Sequence, residues 1–171
     1  FIKNNLYKKQ LNLINKLIKN NYNLIIRTHP IGSDKNQIKS ELNLSNFKNV
    51  EIHESRTTSI NDTLQCVDLI VSVRSSVIVE AASIGVIPII LNDDEIIFEE
   101  SIEKLRNIFK DNLIQSSEDI VLKIVKDILS DQVYKKEIQG KITKLFNKNI
   151  IYCGNTSLEK INENINNLSL N

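Results

Sequence analysis

Two groups of polar residues in this chain have types and spacing suited to holding an anion. One is Arg74-Ser75-Ser76, with Glu80 four residues further on; the other is Thr28-His29-Pro30. A serine at the start of a helix caps free backbone N–H groups. At the tip of a parallel strand the same helix start faces the crevice where ligands bind, and its N–H groups and dipole favour a phosphate. The two roles are compatible. Arg74 and the hydroxyls of Ser75 and Ser76 would add positive charge and hydrogen bonds there. Glu80 shares a helical face with Ser76. From that face a carboxylate can reach the crevice and accept hydrogen bonds from vicinal hydroxyls, although an exposed helix charge is the commoner role. His29 precedes Pro30, whose ring forces an extended exit. An imidazole at a strand tip can donate to a phosphate oxygen or protonate a departing phosphate, whereas a lone histidine is more often structural.

Other polar stretches are less pointed. Arg27 faces away from Thr28 by strand alternation and receives no site role. Residues 53–58, HESRTT, follow the next strand and line the same rim, either as a plain surface loop or as backbone holding a nucleobase. Asp93-Asp94 follow a later strand and would contact a sugar or solvate a turn. Neither carboxylate has the partners of a metal site.

The elements that must position these residues alternate between two periods. Apolar residues at Leu11, Ile14, Leu17 and Ile18 predict an amphipathic helix over 7–20. Strands are predicted at 24–28, 50–53, 69–73 and 87–91, with helices at 37–42, 60–67 and 77–84 between them. The strand at 69–73 is expected to be the interior one, and Gly85 to end the helix before it. Later helices are predicted at 100–109, 118–129, 134–146 and 157–168, with a short edge strand at 113–115 and a helix N-cap at 116–118. Strands alternating with helices predict right-handed βαβ units in a doubly wound, Rossmann-like parallel sheet. The expected organisation is a single domain over 1–171. Its α/β core spans about 21–130, and a tail of lysine-rich helices over 131–171 presents solvated faces.

Bulk properties narrow the function classes. Apolar residues make up 41% of 171 positions, enough for one ordinary core, and a net charge of +1 gives no basic track for nucleic acid. Cys66 and Cys153 lack metal or redox spacing and are expected as reduced thiols. No apolar run reaches the roughly 20 residues of a membrane span. A chain beginning at Phe1 without any methionine reads as a piece of a longer protein. Neither G-x-G-x-x-G, nor G-x-x-x-x-G-K-[ST], nor G-x-S-x-G occurs. With four glycines in all, phosphate would be held by hydroxyls, histidine and helix ends.

Thr28-His29-Pro30 after an apolar strand, together with VDLIVSVRSSVIVEAASIGVIPIIL over 67–91, resembles the C-terminal half of GT-B glycosyltransferases that build bacterial surface polysaccharide. The nearest likeness is to the capsule and lipooligosaccharide group of sialyl-, polysialyl- and Kdo transferases, which carry an HP motif and a paired Ser/Thr motif. CDP-glycerol glycerophosphotransferases and, more distantly, UDP-GlcNAc 2-epimerases share the layout. The likeness runs over about 11–168, its specific part being the two motifs, and CGNTSLEKINENI over 153–165 looks like the closing helix of such proteins. The resemblance implies that His29 contacts the donor phosphate and assists departure of the nucleotide. It implies that Ser75 and Ser76 anchor that phosphate, that Thr28, Pro30 and Arg74 line the donor site, and that Glu80 holds the ribose. Arg74 stands where relatives often have a small or hydroxylic residue.

The substrate so implied is a CMP-, CDP- or UDP-linked donor, with CMP favoured, and no metal or further cofactor. The acceptor would be a glycan or lipid-linked glycan. The general base is expected in an N-terminal acceptor domain outside this chain, leaving this piece able to bind donor but not to turn it over. Cytoplasmic placement, including a peripheral position at the cytoplasmic membrane, follows from the same resemblance. The alternatives are a glycerophosphotransferase, an epimerase, or a non-catalytic α/β interaction module. A receiver-type module would need acids at the first strand, and residues 24–30 have none.

Overall fold

The computed structural model describes residues 2–29, 35–44, 47–73, 77–91, 114–115 and 117–149. Helix α1 (Ile2–Lys19) splits its apolar face between two cores. Leu13 and Leu17 enter the main core, and Ile18, with Leu11 and Ile14 beside it, enters a second one. Each pair four apart stacks on one side of the helix. Asn21 ends α1 in the left-handed region at φ 59°, with Tyr22 N–H donating to Leu17 O at 3.3 Å and Asn21 N–H to Ile18 O at 3.0 Å. That paired pattern is a Schellman cap, and it turns the chain into the first strand.

Strand β1 (Leu24–Arg27) pairs in parallel with β2 (Val50–His53), from Leu24 against Val50 to Arg27 against His53. Helix α2 (Lys35–Glu41) lies between them in sequence and closes the second core with Ile38. Strand β3 (Leu69–Ser72) pairs in parallel with β4 (Ile87–Leu91), and β4 with the short β5 (Ile114–Gln115). Helices α3 (Ile60–Leu64) and α4 (Val77–Ser83) are the crossovers on either side of β3. Every residue of β4 is buried, so both of its faces are covered, as in the middle of a parallel sheet.

The fold class is α/β, but one expectation needs correction. The strand at 69–73 is not the most enclosed: all four β3 positions are half-buried, and β4 takes the interior place. Among the described residues β3 pairs with β4 alone, whereas β4 pairs with β3 on one edge and with β5 on the other. The described strands form two parallel sheets, β1-β2 and β3-β4-β5. Leu24 packs against both the main and the second core and so joins the two halves.

The two later helices are firmly seated. Helix α5 (Glu118–Ser130) buries Val121, Val125 and Ile128, a stripe at i, i+4 and i+7, and Lys16 reaches from α1 to Asp119 at 2.6 Å. Ser117 occupies the N-cap in extended conformation, without a side-chain cap bond. Helix α6 (Gln132–Asn149) is capped instead by Asp131, whose Oδ1 accepts from the N–H of Val133 at 2.9 Å and of Tyr134 at 3.0 Å. Ile142 of α6 is buried in the main core. The lysine-rich segment is therefore not simply a solvated face. The Lys135 side chain is 13% exposed and pairs with Asp68, and Gln139 donates to Gly85 O at 3.0 Å. Gly85 holds φ 83° after α4, with Val86 N–H reaching back to Ala81 O at 2.9 Å. Among the described residues no helix is long and apolar enough to cross a membrane. The predicted helices at 100–109 and 157–168 lie outside the described residues.

Candidate functional site

Because β1 and β2 run parallel with Arg27 opposite His53, their carboxyl ends stop level with each other. The residues leaving them, Thr28-His29 and Glu54-Ser55, are thereby brought side by side. Thr28 N–H continues the ladder to His53 O at 3.0 Å, and Ser55 N–H donates to Thr28 Oγ1 at 3.3 Å. Thr28 is 9% exposed, whereas His29 is exposed. The turn after β2 is wound tightly on one carbonyl: Glu54 O accepts from the N–H of Thr57 at 3.0 Å and of Thr58 at 2.8 Å, and from Thr57 Oγ1 at 3.3 Å. The HESRTT stretch thus shares a rim with Thr28-His29, as its position after a parallel neighbour predicts.

Below the rim, on the α3 side, one threonine joins three elements. Thr63 Oγ1 accepts from Arg27 Nη1 at 2.9 Å, lies 2.9 Å from His53 Nδ1, and donates to Ser59 O at 3.2 Å. A hydroxyl has one proton to give. With that proton on Ser59 O, the imidazole must be the donor at Nδ1. Its Nε2 then lies 3.5 Å from Glu51 Oε2, two residues back on the same strand face. Arg27 also donates to Ser59 O at 3.3 Å. Ser59 in turn caps α3, its Oγ accepting from Asp62 N–H at 3.1 Å. Arg27 does point away from Thr28; its side is occupied by α3, which makes the guanidinium a brace for the rim. Sequence alternation gave that direction, but not the helix that fills the space.

Glu80 stands on the exposed side of α4, opposite the buried Ile78, Ala81 and Ala82, and its carbonyl accepts from Ser83 Oγ at 2.7 Å. The remaining predicted site residues, Pro30, Arg74, Ser75 and Ser76, lie outside the described residues, as do Asp93 and Asp94. β3 ends at Ser72 and α4 begins at Val77, the strand-then-helix order that the serine pair was expected to bridge. Cys66 is a free, exposed thiol, and Cys153 lies outside the described residues. No group of three or more potential metal ligands occurs among the described residues.

A cavity of about 470 Å³ opens beside Asn61, Leu64, Asp68, Ile84 and Gln139. Asp68 and Val86 immediately precede β3 and β4, so this hollow lies at the amino ends of those strands, whereas the rim lies at carboxyl ends. In open parallel sheets ligands favour the carboxyl ends. Two of its polar lining groups are already engaged in seating α6, Asp68 with Lys135 and Gln139 with Gly85 O. The hollow is best described as the seam beneath that helix.

Comparison of the chain with protein-family models, with curated proteins and with solved structures gave no significant match.

Proposed function

We propose that this chain is the nucleotide-sugar-binding half of a glycosyltransferase that makes bacterial surface polysaccharide, with a CMP-linked donor. In this reading the two parallel sheets are parts of one doubly wound, Rossmann-like architecture, continuous through the packing around Leu24. The observation that carries the reading is the level ending of β1 and β2, which sets Thr28-His29 beside Glu54-Ser55 on one carboxyl edge. Such an edge is where an open α/β sheet takes a nucleotide.

The chemistry is displacement at the anomeric carbon. An acceptor hydroxyl attacks, the bond from that carbon to the phosphate oxygen breaks, and the nucleotide leaves with the electron pair. His29, exposed at the strand tip, contacts the leaving phosphate and can deliver a proton to it. Ser75 and Ser76 anchor the same group, with Thr28, Pro30 and Arg74 lining the site and Glu80 holding the ribose. Hydrogen bonds fixed in advance at the developing charge are commonly the largest contribution to such catalysis. The general base and the glycan or lipid-linked acceptor belong to a partner domain, and the enzyme works in the cytoplasm or at the inner face of the membrane.

The test is thermal unfolding of the 171-residue chain with CMP, CDP, UDP or no ligand. A nucleotide at a hundred times its dissociation constant stabilises by about 2.7 kcal/mol. For a domain of this size that raises the midpoint by roughly 5–10 °C. A shift with CMP alone is expected, and His29→Ala and Ser76→Ala should each reduce it with little change in the unliganded midpoint. Absence of any shift with all three nucleotides refutes the proposal.

A further inference from the structure

Ser55 has an oddity that neither the fold nor the rim's internal bonding explains. Its Oγ is buried and has no hydrogen-bond partner among the described residues, although its backbone N–H is used by Thr28 Oγ1. Burying a hydroxyl unpaired is unfavourable, and native folds retain few such groups without a reason. Thr28 adds a second idle group. Its Oγ1 accepts the Ser55 N–H, but its own proton meets no acceptor among the described residues. Two hydroxyl protons therefore sit on one rim, at adjacent strand ends, with no acceptor among the described residues. A surplus of donors at one place fits an acceptor-only partner, an anionic oxygen.

We infer that Ser55, together with Thr28, supplies O–H groups to a phosphate oxygen of the bound nucleotide, making the turn after β2 part of the donor site. This inference rests on the nucleotide-sugar reading above and extends it to residues outside the two motifs. Ser55 as a residue is only partly buried, and on this reading nucleotide binding turns χ1 to another staggered position that presents Oγ at the rim. Leaving its present position forfeits no hydrogen bond, because none is made there. The neighbouring backbone is held by the carbonyl of Glu54, which keeps the turn in place while the side chain moves.

The experiment is calorimetric titration of the chain with CMP, with inorganic phosphate as competitor. Ser55→Ala is expected to weaken CMP binding about tenfold, the loss of one hydrogen bond to a charged acceptor, and to weaken competition by phosphate to the same degree. Its thermal midpoint without ligand should stay equal or rise, since the substitution removes an unpaired hydroxyl. Ser55→Cys, which keeps the shape but donates feebly, should fall between the two. Unchanged CMP affinity in Ser55→Ala, while His29→Ala still weakens binding, overturns the assignment of Ser55 and leaves the nucleotide reading intact. Weaker binding with a lowered unliganded midpoint in both variants would mark Ser55 as structural and also overturn it. If the unaltered chain binds no CMP, the inference falls together with the proposed function.

Discussion

Thr63→Val is the substitution that most directly tests how the rim is braced. Valine matches threonine in shape, so packing around this 4%-exposed site is kept while the hydroxyl is lost. Three bonds go with it: from Arg27 at 2.9 Å, from His53 at 2.9 Å, and to Ser59 O at 3.2 Å. Arg27 keeps its weaker bond to Ser59 O at 3.3 Å, so its charge is not stranded. His53 Nδ1–H loses its partner beneath the surface. A bond from a charged donor is worth about 1.5–3 kcal/mol and a neutral one about 0.5–1.5 kcal/mol. Taking the low end for the partly solvated guanidinium, the expected loss is roughly 2–3 kcal/mol. In a domain of this size that lowers the midpoint by about 4–12 °C. Urea unfolding followed by circular dichroism measures it, with Thr63→Ser as control, since serine keeps all three bonds and loses a methyl worth about 1 kcal/mol. A loss below about 0.5 kcal/mol for valine, or an equal loss for serine and valine, would refute the brace.

Two further predictions concern the frame. The Tyr7 hydroxyl, followed by the Gln37 amide, donates to Glu41 and holds its carboxyl below the usual carboxylate value of 4.5. A depressed value in the folded state means that the contribution is present above the unfolded value and lost as pH falls through the folded one. Tyr7→Phe should therefore raise the Glu41 midpoint toward 4.5 in a carboxyl NMR titration and flatten the pH dependence of stability on the acid side; an unmoved midpoint would exclude Tyr7 as the cause. Gly85→Ala should cost about 1–2 kcal/mol in denaturant unfolding, because φ 83° strains any Cβ even though nothing lies within 4 Å of one. Gly85→Asn should cost less, and equal losses for alanine and asparagine would point to a cause other than backbone strain.

Much of the frame was legible because it is written locally. The strands at 50–53 and 87–91 have the bounds that their apolar runs predict, and Asn21 and Gly85 end helices through φ > 0, a property of the residue types themselves. The closeness of Thr28 to HESRTT was also readable, since parallel neighbours of equal length end together. What could not be read depends on where distant segments arrive. The burial of Lys135 requires Asp68 at the foot of β3, 67 residues away, and a lysine in a lysine-rich helix carries no mark of that partner. The rank of β3 within its sheet failed for a related reason. Its composition matches an interior strand, but burial is decided by how many neighbours pair with it. Alternation correctly turns Arg27 away from Thr28, but its partner Thr63 lies 36 residues ahead on a helix whose docking the strand does not encode.

The Lys135–Asp68 and Gln139–Gly85 contacts clamp the last described helix at the amino ends of β3 and β4, and the Thr28–Ser55 rim lies at the carboxyl ends of β1 and β2. The clamp and the turn after β2 thus rest on different residues. The turn over 54–58 can be exchanged for one of another length or chemistry without loosening that clamp or the Ser59 cap of α3, which makes it a place to vary surface chemistry on an otherwise unaltered scaffold.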